Sequence, residues 1–412
     1  MADFEAHIDK VGFQGDGITA GGLIVPMTLP GERVLARQGK ERPELVEVIM
    51  ASPERVTPPC PHFSACGGCT LQHWDLAAYS AWKHEVVVAQ LRRGGLETEV
   101  LPGFTTPTHS RRRVGLHARK QGNQVQIGFK ARRSWSLVPI EVCVISDPAI
   151  VASLPMLRQL AAPLFEHPKS APVLHVTASL TGLDIDISGV ERTKSGGLSA
   201  DARMQIAMAA GEAGFARVTM GEDILYQVRQ PMIRFGKATV SLPIGSFLQA
   251  TPQAEAAMAA LVSDSVAGAK KVADLFCGAG TFTFPLAETA VVYAADGAAT
   301  SIAALKNAMA SAPGLKTITP EVRDLFRRPM VAEEMKGFDA IVFDPPRAGA
   351  EAQAFEIARS GVAHAVAVSC NLQTFVRDAK ILVNAGFSLD RVTPIDQFLW
   401  SAHVELVGVF SR

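Results

Sequence analysis

Four short apolar runs constrain this chain more than any other feature: "KVADLF" from residue 271, "VVYAAD" from 291, "AIVFD" from 340 and "HAVAVS" from 364. Each is rich in Val and Ala, and none shows the strict polar alternation of a sheet with one wet face. Runs apolar on both sides suit strands covered on both sides, and helical stretches separate most of them, as parallel pairing requires. "TPQAEAAMAALVSDSVAG" leads in as a helix, with Thr251 as its cap and Pro252 in its first turn. The region from about 241 to 412 is therefore predicted to be a doubly wound α/β domain. In such sheets ligands gather beyond the carboxyl ends of the strands.

The first of these ends carries a glycine turn. In "KVADLFCGAGTFTFPLA", Gly278 and Gly280 let the backbone bend sharply and approach a ligand. Asp296 closes the next run, where a carboxylate can accept the ribose hydroxyls of a nucleoside. NAD is the first alternative. However, Phe282 stands where its fingerprint needs a third glycine, and Asp274 before the turn suits a positive sulfonium better than a pyrophosphate. S-adenosylmethionine is the expected cofactor.

The other two ends carry the chemistry. Asp344 closes "FDAIVFDPPRAG" and Cys370 closes "HAVAVSC", so both are expected on the cofactor side. Asp-Pro-Pro also suits enzymes that methylate exocyclic amines of bases, but these usually follow the prolines with an aromatic, and here Arg347 follows. A thiol points to a different reaction. Carbon 5 of uracil becomes nucleophilic only after something adds to carbon 6, and a thiolate is suited to that addition. A free thiol has a pKa of about 8.5, so the site is expected to favour the thiolate. A base must then remove the proton left on carbon 5. Glu405, in the late strand candidate of "DQFLWSAHVELVGVF", is the best candidate.

The remainder of the chain reads as two further parts. Residues 1–58 show short apolar stretches between Gly and Pro turns, as in a small β unit. Residues 59–240 read as irregular and mixed, and begin with "CPHFSACGGC", where Cys60, Cys66 and Cys69 fall within ten residues. Clustered cysteines in a reducing compartment hold metal or do chemistry more often than they form disulfides. Lys plus Arg equals Asp plus Glu at 40 each, so any electrostatic signal must be regional. It is: residues 100–140 hold eight Lys or Arg and no acid, a candidate phosphate-binding surface between Arg111 and Arg133. The start "MADFEAHIDK" has no apolar core of a signal peptide, and no apolar run reaches a membrane-spanning length, so a cytoplasmic location is expected.

Taken in order, "VPMTLPGERV", "CPHFSACGGCTLQHW", "SFLQAT", "DLFCGAGTF", "DPPRAG", "VSCN" and "HVE" resemble the RNA 5-methyluridine methyltransferases over nearly the whole chain. The resemblance implies a multidomain α/β chain: an N-terminal TRAM-like (OB-like) RNA-binding β-barrel, an α+β middle domain bearing an iron–sulfur cluster, and a C-terminal doubly wound, Rossmann-like methyltransferase domain. It makes Cys370 the nucleophile and Glu405 the base, with Gln249, Phe276, Gly278, Asp296 and Asp344 at the cofactor or the reaction centre. Cys277 lies in the glycine turn and Cys370 in the catalytic strand, which leaves Cys143 to join the cluster. The spacing of Cys60, Cys66, Cys69 and Cys143 admits zinc or iron–sulfur, and the resemblance implies a [4Fe-4S] cluster. The expected partner is structured RNA, ribosomal in preference to transfer RNA, met by a monomer with no membrane attachment. A non-catalytic RNA-binding factor is the rival from another class. Thr251, Thr281, Leu372 and Leu399 depart from the family pattern, the last two at positions expected near the substrate pocket.

Overall fold

In the computed structural model, residues 3–39, 42–191 and 197–412 are described. The four apolar runs are strands: β1 (Lys271–Leu275), β2 (Val291–Asp296), β4 (Ala340–Phe343) and β5 (His364–Ser369), with β3 (Ile318–Val322) between the second and third of them. β6 (Ser388–Asp396) and β7 (Glu405–Ser411) complete the C-terminal set. The sheet runs β3-β2-β1-β4-β5-β7-β6, parallel from β3 to β5, and β7 is inserted antiparallel between β5 and β6. The order reverses between β1 and β4, and a crevice opens at the carboxyl ends there.

Period-two alternation explains why both faces are apolar. Along β1 and β4, Val272, Ala340 and Val342 enter one core while Ala273, Leu275, Ile341 and Phe343 enter the other. Each face is covered by helices that present a matching stripe. Helix α2 (Pro252–Ser265) buries Ala254, Met258 and Val262, and Thr251 caps it by accepting from the Ala254 amide at 3.2 Å. Helix α3 (Leu372–Asn384) buries Leu372, Phe375, Val376, Ala379 and Leu382. Fully burying each such large side chain stabilises the fold by about 1.5–3 kcal/mol. At its start Leu372 stands where a proline would be pre-organised, and Asn371 Oδ1 does the capping, accepting from the Gln373 and Thr374 amides.

Residues well before this region also join the sheet. Strands Glu99–Val100 and Phe104–Thr105 pair in parallel with β6. Helix α1 (Leu76–Arg93) buries Tyr79, Lys83, Val87 and Leu91 at four-residue intervals, and Val87 and Leu91 enter the core under α3.

The middle region, expected to be α+β, holds a seven-stranded mixed sheet. Its strands include Arg113–Gln121, Gln124–Lys130, Val173–Ser179 and Gly182–Ser188, with helices Leu154–Ala161 and Ala200–Glu212 sharing its core. At the N-terminus two three-stranded sheets share a small core of Ile8, Val25, Val34 and Ala36. Asp16, almost fully buried there, binds Arg132 at 2.5 Å and Arg133 at 3.1 Å. Among the described residues no helix is long and apolar enough to cross a membrane.

The basic stretch is not the single exposed face that its composition predicts. Arg112 turns inward to Glu255 at 2.5 Å, Arg113 donates to the Ser246 carbonyl, and Arg132 and Arg133 hold Asp16. Val114, Leu116 and Ala118 point into the core, and strand alternation carries Arg112 inward with them. Arg119 and Lys120 at the hairpin end remain exposed.

Candidate active site

The glycine turn follows β1 directly. Phe276 takes φ +62°, an unusual conformation for a bulky residue, before Gly278 at +55° and Gly280 at +107°. A Cβ on Gly280 would meet the Phe284 ring at 2.6 Å, whereas one on Gly278 would meet nothing within 4 Å, so the turn is packed beneath and open above. Asp296, at the end of β2, accepts from the Gly278 amide at 2.9 Å and the Ala298 amide at 2.7 Å. Its carboxylate thus fixes the turn and keeps lone pairs for a ligand. Asp274 is wholly buried, bonded through one oxygen to Thr283 at 2.5 Å and through the other to nothing. Burial pushes its carboxyl up to about 7, the state a nearby positive charge would reverse.

Across the switch point, Asp344, Cys370 and Glu405 stand at the ends of β4, β5 and the start of β7. Because β7 runs antiparallel between β5 and β6, its first residue meets the last residues of its neighbours. Glu405 is therefore central, not an edge residue. A chain of amides links the carboxyls: Gln397 Nε2 donates to Glu405 Oε1 at 2.9 Å and to Gln249 Oε1 at 2.7 Å, and Gln249 Nε2 donates to Asp344 Oδ2 at 3.4 Å. Gln397 Oε1 accepts from the Ala250 amide at 2.7 Å, so all the polar atoms of its side chain are committed.

Burial dominates the electrostatics. It raises Glu405 from an ordinary 4.5 to about 7, against the hydrogen bond from Gln397 and the charge of Arg347. It holds Asp344 well above the usual carboxylate range, helped by Glu405 and Asp274. The Cys370 thiol is pushed up to about 11, first by burial and then by Glu405 and Asp344, with Arg347 opposing. The expectation that the site favours the thiolate is thus corrected: these surroundings favour the thiol. Two features act the other way, Arg347 and the amino end of α3, which begins two residues after Cys370.

Behind the loop of residues 397–404 lies a buried clamp. Lys83 Nζ meets Asp396 Oδ1 at 2.5 Å and the His403 carbonyl at 2.6 Å, and the Tyr79 hydroxyl meets Asp396 Oδ2 at 2.7 Å. Asp396 immediately precedes Gln397, so α1 fixes both ends of the loop from which Gln397 and Glu405 project. Burial pushes Lys83 down to about 8. Sequence reasoning missed Gln397, Asp396, Tyr79 and Lys83. Lys83 had a signal, since it lies on the buried stripe of α1 between Tyr79 and Val87.

A second pocket, of about 400 Å³, opens on the other side of the same loop and is lined by Cys60, Cys66, Cys69 and Cys143 with Arg111, Phe398 and Leu399. Leu399 thus lines the thiol pocket and not the pocket around Cys370. The Thr70 and Leu71 amides both donate to the Trp400 carbonyl, joining the cysteine loop to the loop that leads into Glu405. Sulfur also receives donors: Ser146 Oγ lies 3.1 Å from Cys143 Sγ, and the Gly68 amide 3.4 Å from Cys66 Sγ. Burial drives Cys69 up to about 12, and the Arg111 cation stands near Cys69 and Cys143. Among the described residues no three His, Cys, Asp or Glu side chains gather tightly enough to hold one metal ion.

Comparison with known proteins gives consistent matches. The tRNA (Uracil-5-)-methyltransferase family matches residues 203–412. An uncharacterized RNA methyltransferase of Caulobacter vibrioides is 59% identical over 411 residues, covering 98% of this chain and 99% of the relative. The 23S rRNA (uracil(1939)-C(5))-methyltransferase RlmD of Chromohalobacter salexigens is 31% identical, over 95% of this chain and 84% of its own. In fold, the chain is similar to the tRNA (uracil-54, C5)-methyltransferase of Pyrococcus abyssi solved with S-adenosyl-L-homocysteine. The TM-score is 0.74 at 23% identity, covering 98% of this chain and 99% of that one. With a family match over half its length and relatives aligned nearly end to end, the chain belongs to the tRNA (uracil-5-)-methyltransferase family and is an S-adenosylmethionine-dependent RNA methyltransferase.

Proposed function

We propose that the protein methylates carbon 5 of a uridine in RNA, in 23S rRNA, through a covalent bond between Cys370 and carbon 6. The observation that carries this reading is the convergence of a thiol, a buried carboxyl and a committed amide chain beyond the ends of three adjacent strands. The target base must leave its stack to reach Cys370, because carbon 6 is inaccessible inside a helix.

In this reading the Cys370 sulfur adds to carbon 6 as a thiolate, and the electron pair of the ring double bond makes carbon 5 nucleophilic. Arg347 and the amino end of α3 supply positive potential for the thiolate. S-adenosylmethionine, when bound, supplies an electrophilic methyl group on a sulfonium; the turn at Phe276 and Gly278, with Asp296, Gln249 and Asp344, would hold it. Glu405 then takes the proton from carbon 5, and the carbon–sulfur bond breaks as the ring double bond re-forms. A carboxyl near pKa 7 is matched to this task at neutral pH, charged often enough to accept a proton and basic enough to hold it. Gln397 aims that carboxylate.

We read the thiol pocket as the seat of a [4Fe-4S] cluster held by Cys60, Cys66, Cys69 and Cys143. One zinc ion needs its sulfurs at about 2.3 Å, which demands thiols gathered about a point. A cluster of several irons is wider and suits thiols standing around a cavity with a cation and two sulfur donors nearby. Bound there, it would brace the cysteine loop, whose Thr70 and Leu71 amides donate to the Trp400 carbonyl. The N-terminal unit (1–58) is read as a TRAM-like RNA-binding barrel, with the middle unit at 59–240 and the methyltransferase unit at 241–412.

The ribosomal target is favoured by similarity along 95% of the chain to a relative named for 23S rRNA. Quantifying 5-methyluridine by mass spectrometry in rRNA and tRNA from a strain lacking the gene tests this. Loss from 23S rRNA alone supports the proposal. Loss from tRNA moves the target to transfer RNA, and no loss in either removes the activity.

A further inference from the structure

The pocket that holds Cys370 is completed by a residue from the far end of the chain. Its volume is about 420 Å³, more room than one pyrimidine ring needs, and its rim is formed by Phe13, Gln14, Arg133 and Arg347, with Asn371 at the start of α3. Phe13 lies in the turn between strands Lys10–Val11 and Gly17–Ile18, and it is 43% exposed although it is a large apolar ring. The turn is held rigidly. Gly12 donates to the Asp16 carbonyl, and Asp16 is bound by Arg132, Arg133 and Arg42. Arg133 takes φ +52°, a conformation that non-glycine residues seldom adopt, and its guanidinium reaches both Asp16 and the Gln14 side chain. Several charged contacts thus hold one half-exposed ring at the mouth of an active-site pocket.

We infer that Phe13 is a base-stacking residue for a nucleotide adjacent to the target uridine. The inference rests on the proposed RNA substrate. Extruding one base leaves its neighbours without a stacking partner, and single-stranded segments are recognised by aromatic faces with guanidinium groups nearby for the phosphates. Phe13 supplies the face, and Arg133 and Arg347 the positive charge. Every base offers a π face, so this contact strengthens RNA binding without itself choosing a sequence.

The test is steady-state methyl transfer to bulk RNA from a strain lacking the gene, with wild type, Phe13→Ala, Phe13→Leu and Phe13→Tyr. Alanine and leucine are expected to raise KM roughly 5- to 100-fold, the cost of one lost base stack, with kcat nearly unchanged, while tyrosine keeps the wild-type KM. An unchanged KM in Phe13→Ala, a loss confined to kcat, or leucine performing as well as phenylalanine would overturn it. Filter binding of the same RNA by the same four proteins separates the two proposals. If wild type transfers no methyl group, the catalytic reading fails, and the stacking contact is judged from the binding constants alone by the same criteria.

Discussion

Replacing Glu405 by Gln should make the protein more stable and inactive, with the gain in stability appearing only at high pH. The amide has nearly the carboxyl's shape, and its oxygen can accept from Gln397 as Glu405 Oε1 does at 2.9 Å. Packing is therefore retained, and what changes is the cost of ionisation. Glu405 has 4% of its surface exposed, and its pKa rises from 4.5 to about 7 on folding. A folded-state pKa above the unfolded value contributes stability that is complete below pH 4.5 and is lost as pH rises through about 7. The loss for this carboxyl alone is about 3 kcal/mol above that pH. Glutamine never ionises, so wild type and Glu405→Gln should differ by less than about 1 kcal/mol in urea at pH 5. At pH 8.5 the variant should be more stable by about 1–3 kcal/mol, the lower end allowing for relaxation of neighbouring Asp344. Methyl transfer by the variant should fall by roughly 10²–10⁴-fold, the usual worth of a positioned base. A stability difference equal at both pH values, or a variant weaker at pH 8.5, would refute the claim that burial sets this carboxyl.

Three further outcomes follow from the same geometry. Gln397→Ala should lower kcat by about 10²-fold in a methyl-transfer assay, because Glu405 and Gln249 both lose their orienting donor. Arg112→Ala should cost about 3–5 kcal/mol in chemical denaturation, since it leaves Glu255 buried without its partner, whereas Arg119→Ala at the exposed hairpin end should cost little. Changing Cys60, Cys66, Cys69 and Cys143 together to Ser should remove bound iron and its visible absorbance and lower the melting temperature, while isolated Cys277→Ser should leave the iron in place.

The sheet was legible where local composition decides structure. Val- and Ala-rich runs of five or six residues have no stable place except between two covered faces, so β1, β2, β4 and β5 could be read directly. β3 was less visible because "ITPEV" carries a proline and a glutamate, tolerated in a strand paired on one side only. The central seat of Glu405 depends on β7 pairing with both β5 and β6, a non-local choice that no short window encodes. Gln397 belongs to no motif, and its importance comes from joining Glu405, eight residues on, to Gln249 and Ala250, which lie far away in sequence. Arg112 escapes for a different reason: a count of charge along the chain ignores the period of two that Val114, Leu116 and Ala118 announce. The four cysteines around the second pocket come from two segments more than seventy residues apart, and their common destination depended on the whole middle sheet.

Covalent catalysis by Cys370 can be observed directly. RNA carrying 5-fluorouridine cannot surrender a proton at carbon 5, so incubation with S-adenosylmethionine should arrest turnover with the sulfur still bonded to carbon 6. Digestion and mass spectrometry should then find a methylated fluorouridine on the peptide containing Cys370, and nothing in Cys370→Ala. Formation of 5-methyluridine from ordinary RNA by Cys370→Ala, or a trapped linkage at another residue, would contradict the proposed mechanism.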